Sequence, residues 1–165
     1  MSRKERILHI LEENSRLTSA EIAERLDLEE NDVIVDLTEM IADKVIIGYS
    51  AIINWEKVDS EQEAPVEALI EVNITPQRTM GFDKIAERIY SFPQVKACYL
   101  MSGNYDLLVV MKAKTLKDVA NFVFDKIAPM EAVVSTQTHF ILRHYKQNGI
   151  IIKDLEDDSR EAVIL

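Results

Sequence analysis

Residues 95–113 read VKACYLMSGNYDLLVVMKA, and the fold of the second half of the chain turns on them. Tyr99, Leu100 and Met101 run into Ser102-Gly103-Asn104, after which Leu107 to Met111 form an unbroken apolar run. Glycine and asparagine both tolerate positive φ, so Gly103-Asn104 signals a tight turn between two strands. A half-exposed strand alternates apolar with polar residues, whereas Leu107, Val109 and Met111 alternate with Leu108 and Val110. The second strand is therefore expected to be central in its sheet and buried from both sides.

The neighbouring sequence places this hairpin in a larger unit. Residues 66–75 read as a strand, and residues 82–92 as a helix with Ile85, Ala86 and Ile89 inward, stopped by Pro93. After the hairpin comes a helix over residues 116–127, with Thr115 as N-cap and Asp118 three residues on. A last strand is expected over residues 133–145. The order is β-α-β-β-α-β, the ferredoxin-like unit, with both helices on one face of a four-stranded sheet. An apolar sheet face left uncovered implies self-association, at least to a dimer.

The first half is helical. Residues 3–13 carry Ile7, Leu8, Ile10 and Leu11 on one face. Thr18 with Glu21 makes a capping box for a second helix, whose inner side is Ile22, Ala23 and Leu26. A third helix is expected over residues 30–43, with Val33, Leu37, Met40 and Ile41 inward. Residues 45–47 and 50–54, around Gly48, look like a small hairpin or wing. Three short helices, the last two joined by the Asp27-Leu28 turn, make a helix-turn-helix arrangement. The fold class is thus α+β: a winged helix-turn-helix over residues 1–55, then the ferredoxin-like domain over residues 66–148. The polar stretch EKVDSEQEAP, residues 56–65, is the expected linker, and residues 149–165 form a tail that adds an edge strand at most.

Composition bounds the function. The 165 residues are 29% charged, and no apolar run approaches the roughly 20 residues a membrane span needs. Cys98 is the only cysteine, which excludes an internal disulfide and a cysteine zinc site and fits a cytoplasmic protein. It reads as a small core residue. His139 and His144, five apart on an expected strand, would lie on opposite faces, so no histidine metal site is expected. No nucleophile motif or phosphate-cradling loop suggests an enzyme, and nothing calls for a cofactor. The formal charge of −10 is uneven: residues 1–60 hold 14 acids against 7 bases. The half patterned like a DNA reader is the more acidic one.

A helix-turn-helix containing LTSAEIAERLDL, then VIIGYSAIIN, an acidic linker, and a βαββαβ unit containing MSGNYDLLVV together resemble the Lrp/AsnC family of transcription regulators. The resemblance spans nearly the whole chain. It implies DNA binding by the N-terminal domain. It also implies a RAM-type C-terminal domain that dimerises, commonly assembles to octamers, and binds a small effector, often an amino acid, between dimers. Carried onto this sequence, the effector loop is Met101, Ser102, Gly103, Asn104, Tyr105 and Asp106, and Ser135, Thr136, Gln137 and Thr138 complete the site. Backbone N–H groups at such a turn suit a carboxylate, and Asp106 suits an ammonium group. The residues aligned with DNA contact are Arg16, Thr18, Asn31, Asp32, Ile34, Val35, Asp36, Thr38 and Lys44.

One departure stands out. Where the family usually carries several bases on the third helix and then glycine, this chain has Glu29, Glu30, Asp32, Asp36, Glu39 and Asp43, then Lys44. Carboxylates repel phosphates, and about six of them would cost a few kcal/mol before screening. The expectation is weak DNA binding with a shallow salt dependence, or an acidic surface that binds a protein partner instead.

Overall fold

In a computed structural model the protein is described over residues 1–58, 64–75 and 81–152. It divides into two compact units, Met1–Ala51 and Ile52–Leu165.

The first unit is three helices, α1 (Arg3–Glu13), α2 (Ser19–Leu26) and α3 (Glu30–Ala42). Each of the first two starts at a capping box, Ser2 with Glu5 and Thr18 with Glu21, so the orphan N–H groups of the first turn are satisfied. Asp27 ends α2 in the left-handed region, and the Leu28 N–H closes on the Ala23 carbonyl. The core is Ile7, Ile22, Ala23, Val33 and Met40, with Leu37 and Ile46 packed against it. Ile41, expected inward, is half exposed; Ile46 takes the space instead.

Lys44 occupies the position where a helix usually closes with glycine. It is left-handed at φ 57°, with its N–H on Ile41 O and the Val45 N–H on Met40 O. This is the Schellman closure made with a side chain present, at a cost of roughly 1 kcal/mol. The same closure explains why the expected wing is absent. The Val45 and Ile46 N–H groups are both spent on Met40 O, and no left-handed turn falls at Gly48. Residues 47–54 therefore run as coil, followed by a single 3-10 turn, Trp55–Lys57.

The second unit holds β1 (Val66–Ile74), α4 (Phe82–Tyr90), β2 (Val95–Leu100), β3 (Leu107–Ala113), α5 (Leu116–Phe122) and β4 (Val133–Phe140). The antiparallel sheet has the order β2-β3-β1-β4, so β3 is central, as its sequence requires. One face is fully buried: Ala68, Ile70 and Val72 of β1 and Leu107, Val109 and Met111 of β3 pack with Ile85 and Ile89 of α4 and Val119 of α5. Cys98 is half buried against this core, and burial pushes its thiol pKa up. The opposite face is not buried within the chain. Leu108 and Val110 are half exposed beside Leu69, and polar pairs flank them, Lys112 with Glu67 at 2.9 Å and His139 with Glu71 at 3.1 Å. Burial of β3 on both faces is thus not met inside one copy.

Three further expectations change. The second helix runs on from α5 as a π-helical turn, Val123–Ile127. β4 stops at Phe140, so His139 and His144 are not on one strand. They approach Glu71 and Glu67, which share one face of β1. Among the described residues the tail adds no strand to the main sheet: Ile150–Ile151 pairs with Lys146–Gln147 across Asn148 and Gly149, both left-handed. Residues 59–63 of the expected linker and 153–165 of the tail lie outside the described residues.

Candidate DNA-reading face and effector site

α3 advances about 100° per residue, which sorts its side chains into three stripes. Val33, Leu37 and Met40 face the core. Asp32, Asp36 and Glu39 form a second stripe turned toward α1. There Arg3 donates to Asp36 through Nε at 2.5 Å and Nη2 at 3.0 Å and lies 3.1 Å from Asp32, while Lys4 holds Glu39 at 2.7 Å. Asp36 is only 3% exposed. The Arg3 hydrogen bonds hold its carboxyl below the ordinary 3.8, against the opposing effect of burial.

The third stripe lies about 120° from the acids and carries no charge. It comprises Asn31, Ile34, Val35 and Thr38, all exposed, with Ile34 at 45% and Val35 at 44%. The Thr38 hydroxyl donates back to Ile34 O at 2.7 Å, which leaves its methyl as the group free for contact.

This geometry qualifies the charge argument. The acids of the third helix were expected to stand uncompensated; Asp32, Asp36 and Glu39 are instead paired with two bases of another helix. Asp36 is a structural partner of Arg3 with no surface to offer a ligand, and Asp32 is shared with the same guanidinium. Arg3 and Lys4 are equally committed. Arg16 and Lys44 remain exposed, and Thr18 is occupied as the cap of α2. The missed signal was the spacing of Arg3 and Lys4 on an amphipathic helix, which sequence cannot register against α3.

In the second unit, residues 101–106 form a six-residue connection rather than a two-residue turn, since neither Asn104 nor Tyr105 is left-handed and Gly103 is near-extended. Asp106 anchors it. Its Oδ2 accepts the Ile74 N–H at 2.7 Å, its own N–H donates to Val72 O, and its carbonyl accepts from Met101. Ser102, Gly103 and Asn104 are exposed, and Met101 and Tyr105 are half buried. Ser135 and Thr136 pair with Asn73 and Val72, so they reach the same end of β1 from its other side. Ser135 Oγ accepts from Asn73 Nδ2 at 3.0 Å. Ser135 and Gln137 share the open sheet face with Asn73 and Glu71, whereas Thr136 and Thr138 share the helix-covered face with Val72 and Ile70. The loop and β4 stand two inter-strand spacings apart across β1, about 10 Å.

A separate cavity of about 620 Å³ opens at the other end of the sheet. Trp55, Leu116 and Phe140 contribute apolar wall, and Lys114, Lys117 and Arg143 contribute cations with no ion pair among the described residues. No group of metal-ligating side chains is present among those residues, and none of their helices is long and apolar enough to cross a membrane.

Comparison with known proteins adds independent findings. Residues 2–46 match a winged helix-turn-helix DNA-binding family, and residues 67–151 match the Lrp/AsnC ligand binding domain. The uncharacterized HTH-type transcriptional regulator YugG of Bacillus subtilis is 47% identical over 157 residues, covering 95% of this chain and 93% of its own. The leucine response regulatory protein LrpA of Mycobacterium tuberculosis superposes with a TM-score of 0.73 at 19% identity, over 93% of this chain and 100% of its own. A Neisseria meningitidis transcriptional regulator solved as an L-Met complex gives a TM-score of 0.65 at 24% identity, over 89% and 93%.

Proposed function

From the fact that the chain belongs to the Lrp/AsnC family of transcriptional regulators, with a helix-turn-helix and a ligand-binding domain, we propose that it binds duplex DNA through α3 and a small amino acid through its second unit, as a homodimer or a multiple of one. The uncharged stripe at Asn31, Ile34, Val35 and Thr38 carries the DNA reading. A helix whose exposed face were acidic would favour a basic protein partner; here Asp32, Asp36 and Glu39 are paired with Arg3 and Lys4 inside the domain. Among the described residues of the unit, the side chains of Arg16, Arg25 and Lys44 make no hydrogen bond or salt bridge, so few phosphates are neutralised and the salt slope is shallow, about −3 per domain. Mobility shift at low and moderate salt tests this. No retardation of any duplex at low salt would favour the protein-partner reading.

The effector reading rests on the 101–106 loop. Exposed Ser102, Gly103 and Asn104 present backbone N–H groups, while the residues of β4 sit about 10 Å away, too far for one small amino acid to bridge within a chain. A site completed by a second copy resolves that gap, and the half-exposed Leu69, Leu108 and Val110 offer the face for it. The Neisseria neighbour in complex with L-Met supports the ligand class. A thermal-shift panel of the amino acids tests it, since a ligand bound only by the folded state raises the melting temperature.

The basic cavity favours a second location for the effector, one chain holding a carboxylate at Lys114, Lys117 and Arg143 over an apolar wall. Trp55 is the only tryptophan and lines that cavity, so ligand-induced change in its fluorescence places the effector there, and a thermal shift without one places it at the loop.

A further inference from the structure

We propose that α3 reads thymine methyl groups: Ile34, Val35 and the Thr38 methyl make an apolar contact surface in the major groove, and Asn31 selects a neighbouring adenine. The inference rests on the DNA reading above and deepens it by naming the base chemistry. Discrimination in the major groove comes from hydrogen bonds to base edges or from apolar contact with the C5 methyl of thymine. Arginine and lysine, which read guanine, are absent from this stripe; so are Asp and Glu, which would accept from cytosine. Asp32, Asp36 and Glu39 are held by Arg3 and Lys4 on another flank of α3.

What the stripe does offer is two consecutive β-branched side chains left nearly half exposed, with the Thr38 methyl one turn on from Ile34. Exposed Ile and Val at this spacing have no use inside the domain, because the core is already closed by Val33, Leu37 and Met40. Val35 and Ile34 present stiff side chains, whose single preferred rotamer on a helix presents a fixed surface. The Thr38 hydroxyl is taken up by Ile34 O, so Thr38 joins them as a methyl and not as a donor. Asn31 sits in the first turn, the part of a reading helix that meets base edges, and its amide has the donor and acceptor that adenine N7 and N6 require. The four residues therefore call for adjacent A·T pairs, with the methyls against the two apolar residues.

The test uses the full chain. Duplexes are selected from a random-sequence pool, and the tightest is remade with deoxyuridine at single thymines, which deletes the methyl and nothing else. Selection of A·T-rich half-sites is expected, with a loss of about fourfold per contacted methyl, the value of burying one such group. Val35→Ala should remove that sensitivity at one position while leaving the domain folded. If the selected duplexes are G·C-centred, or deoxyuridine changes nothing at any position, the inference is overturned while DNA binding stands. If no duplex is selected at all, the DNA reading and this inference fall together.

Discussion

The two units dispose of their charges in opposite ways. In the first, two bases on α1 gather three acids of α3, and what remains on the outward stripe is neutral. In the second, Lys114, Lys117 and Arg143 line a cavity and have no ion pair among the described residues, in a protein whose net charge is −10. A surface meant for a polyanion would be expected to keep free cations, and a surface meant for a small zwitterion to balance them. The contrast teaches that charge counted along a segment says little about the charge a face presents. Pairing across helices decides that.

The largest effect should come from putting charge where the first unit has removed it. Val35→Glu places a carboxylate on the outward stripe of α3, where phosphates lie within a Debye length, and should weaken DNA binding by tenfold or more without moving the melting temperature. An unchanged affinity in an electrophoretic assay would mean that another face meets the duplex.

Removing the pairing itself is the next step down. Asp36→Ala leaves Arg3 without its two hydrogen bonds inside the first unit and should lower stability by about 1 kcal/mol, the low end for a charged partner because Arg3 is part solvated. The same pair predicts a pH dependence. The Asp36 pKa is depressed in the folded state, so its contribution is complete above the unfolded value of about 3.8 and is lost as pH falls through the folded one. Helical circular dichroism between pH 5 and pH 2 should show an acid limb that Asp36→Asn diminishes.

In the second unit the corresponding change is Asp106→Asn. It keeps an oxygen for the Ile74 N–H but removes the charge. If the loop holds the effector ammonium group, the thermal shift should vanish while the unliganded melting temperature moves by less than about 1 kcal/mol equivalent. A full-sized shift in this variant, together with a Trp55 response, would transfer the effector to the basic cavity and sharpen the contrast between the units.

Much of this architecture was legible because it is written in local rules. Capping boxes at Thr18 and Thr115 placed two helices, Pro93 stopped a third, and the doubly apolar run from Leu107 placed β3 at the centre of the sheet. Where local rules competed, reading failed. Gly103-Asn104 reads as the tight turn, yet the left-handed pair is Asn148-Gly149, an Asn-Gly dipeptide whose residues both favour positive φ. The wing failed because helix closure at Lys44 took the N–H groups a strand would need. Of the candidate site residues, the placement of residues 101–106 between two strands and of Glu30–Ala42 on a helix was legible, but not which acids are consumed. That depends on how α1 registers against α3, a tertiary fact with no periodicity of its own.

The account stands or falls on which stripe of α3 meets DNA. A fluorescence-anisotropy titration of one duplex with the unmodified protein, Val35→Glu and Glu39→Gln decides it. Glu39 lies on the acidic stripe, paired with Lys4, so Glu39→Gln should bind within about threefold of the unmodified protein, while Val35→Glu loses at least tenfold. A tenfold gain in Glu39→Gln with Val35→Glu unchanged would contradict the account and return the acids to the reading surface.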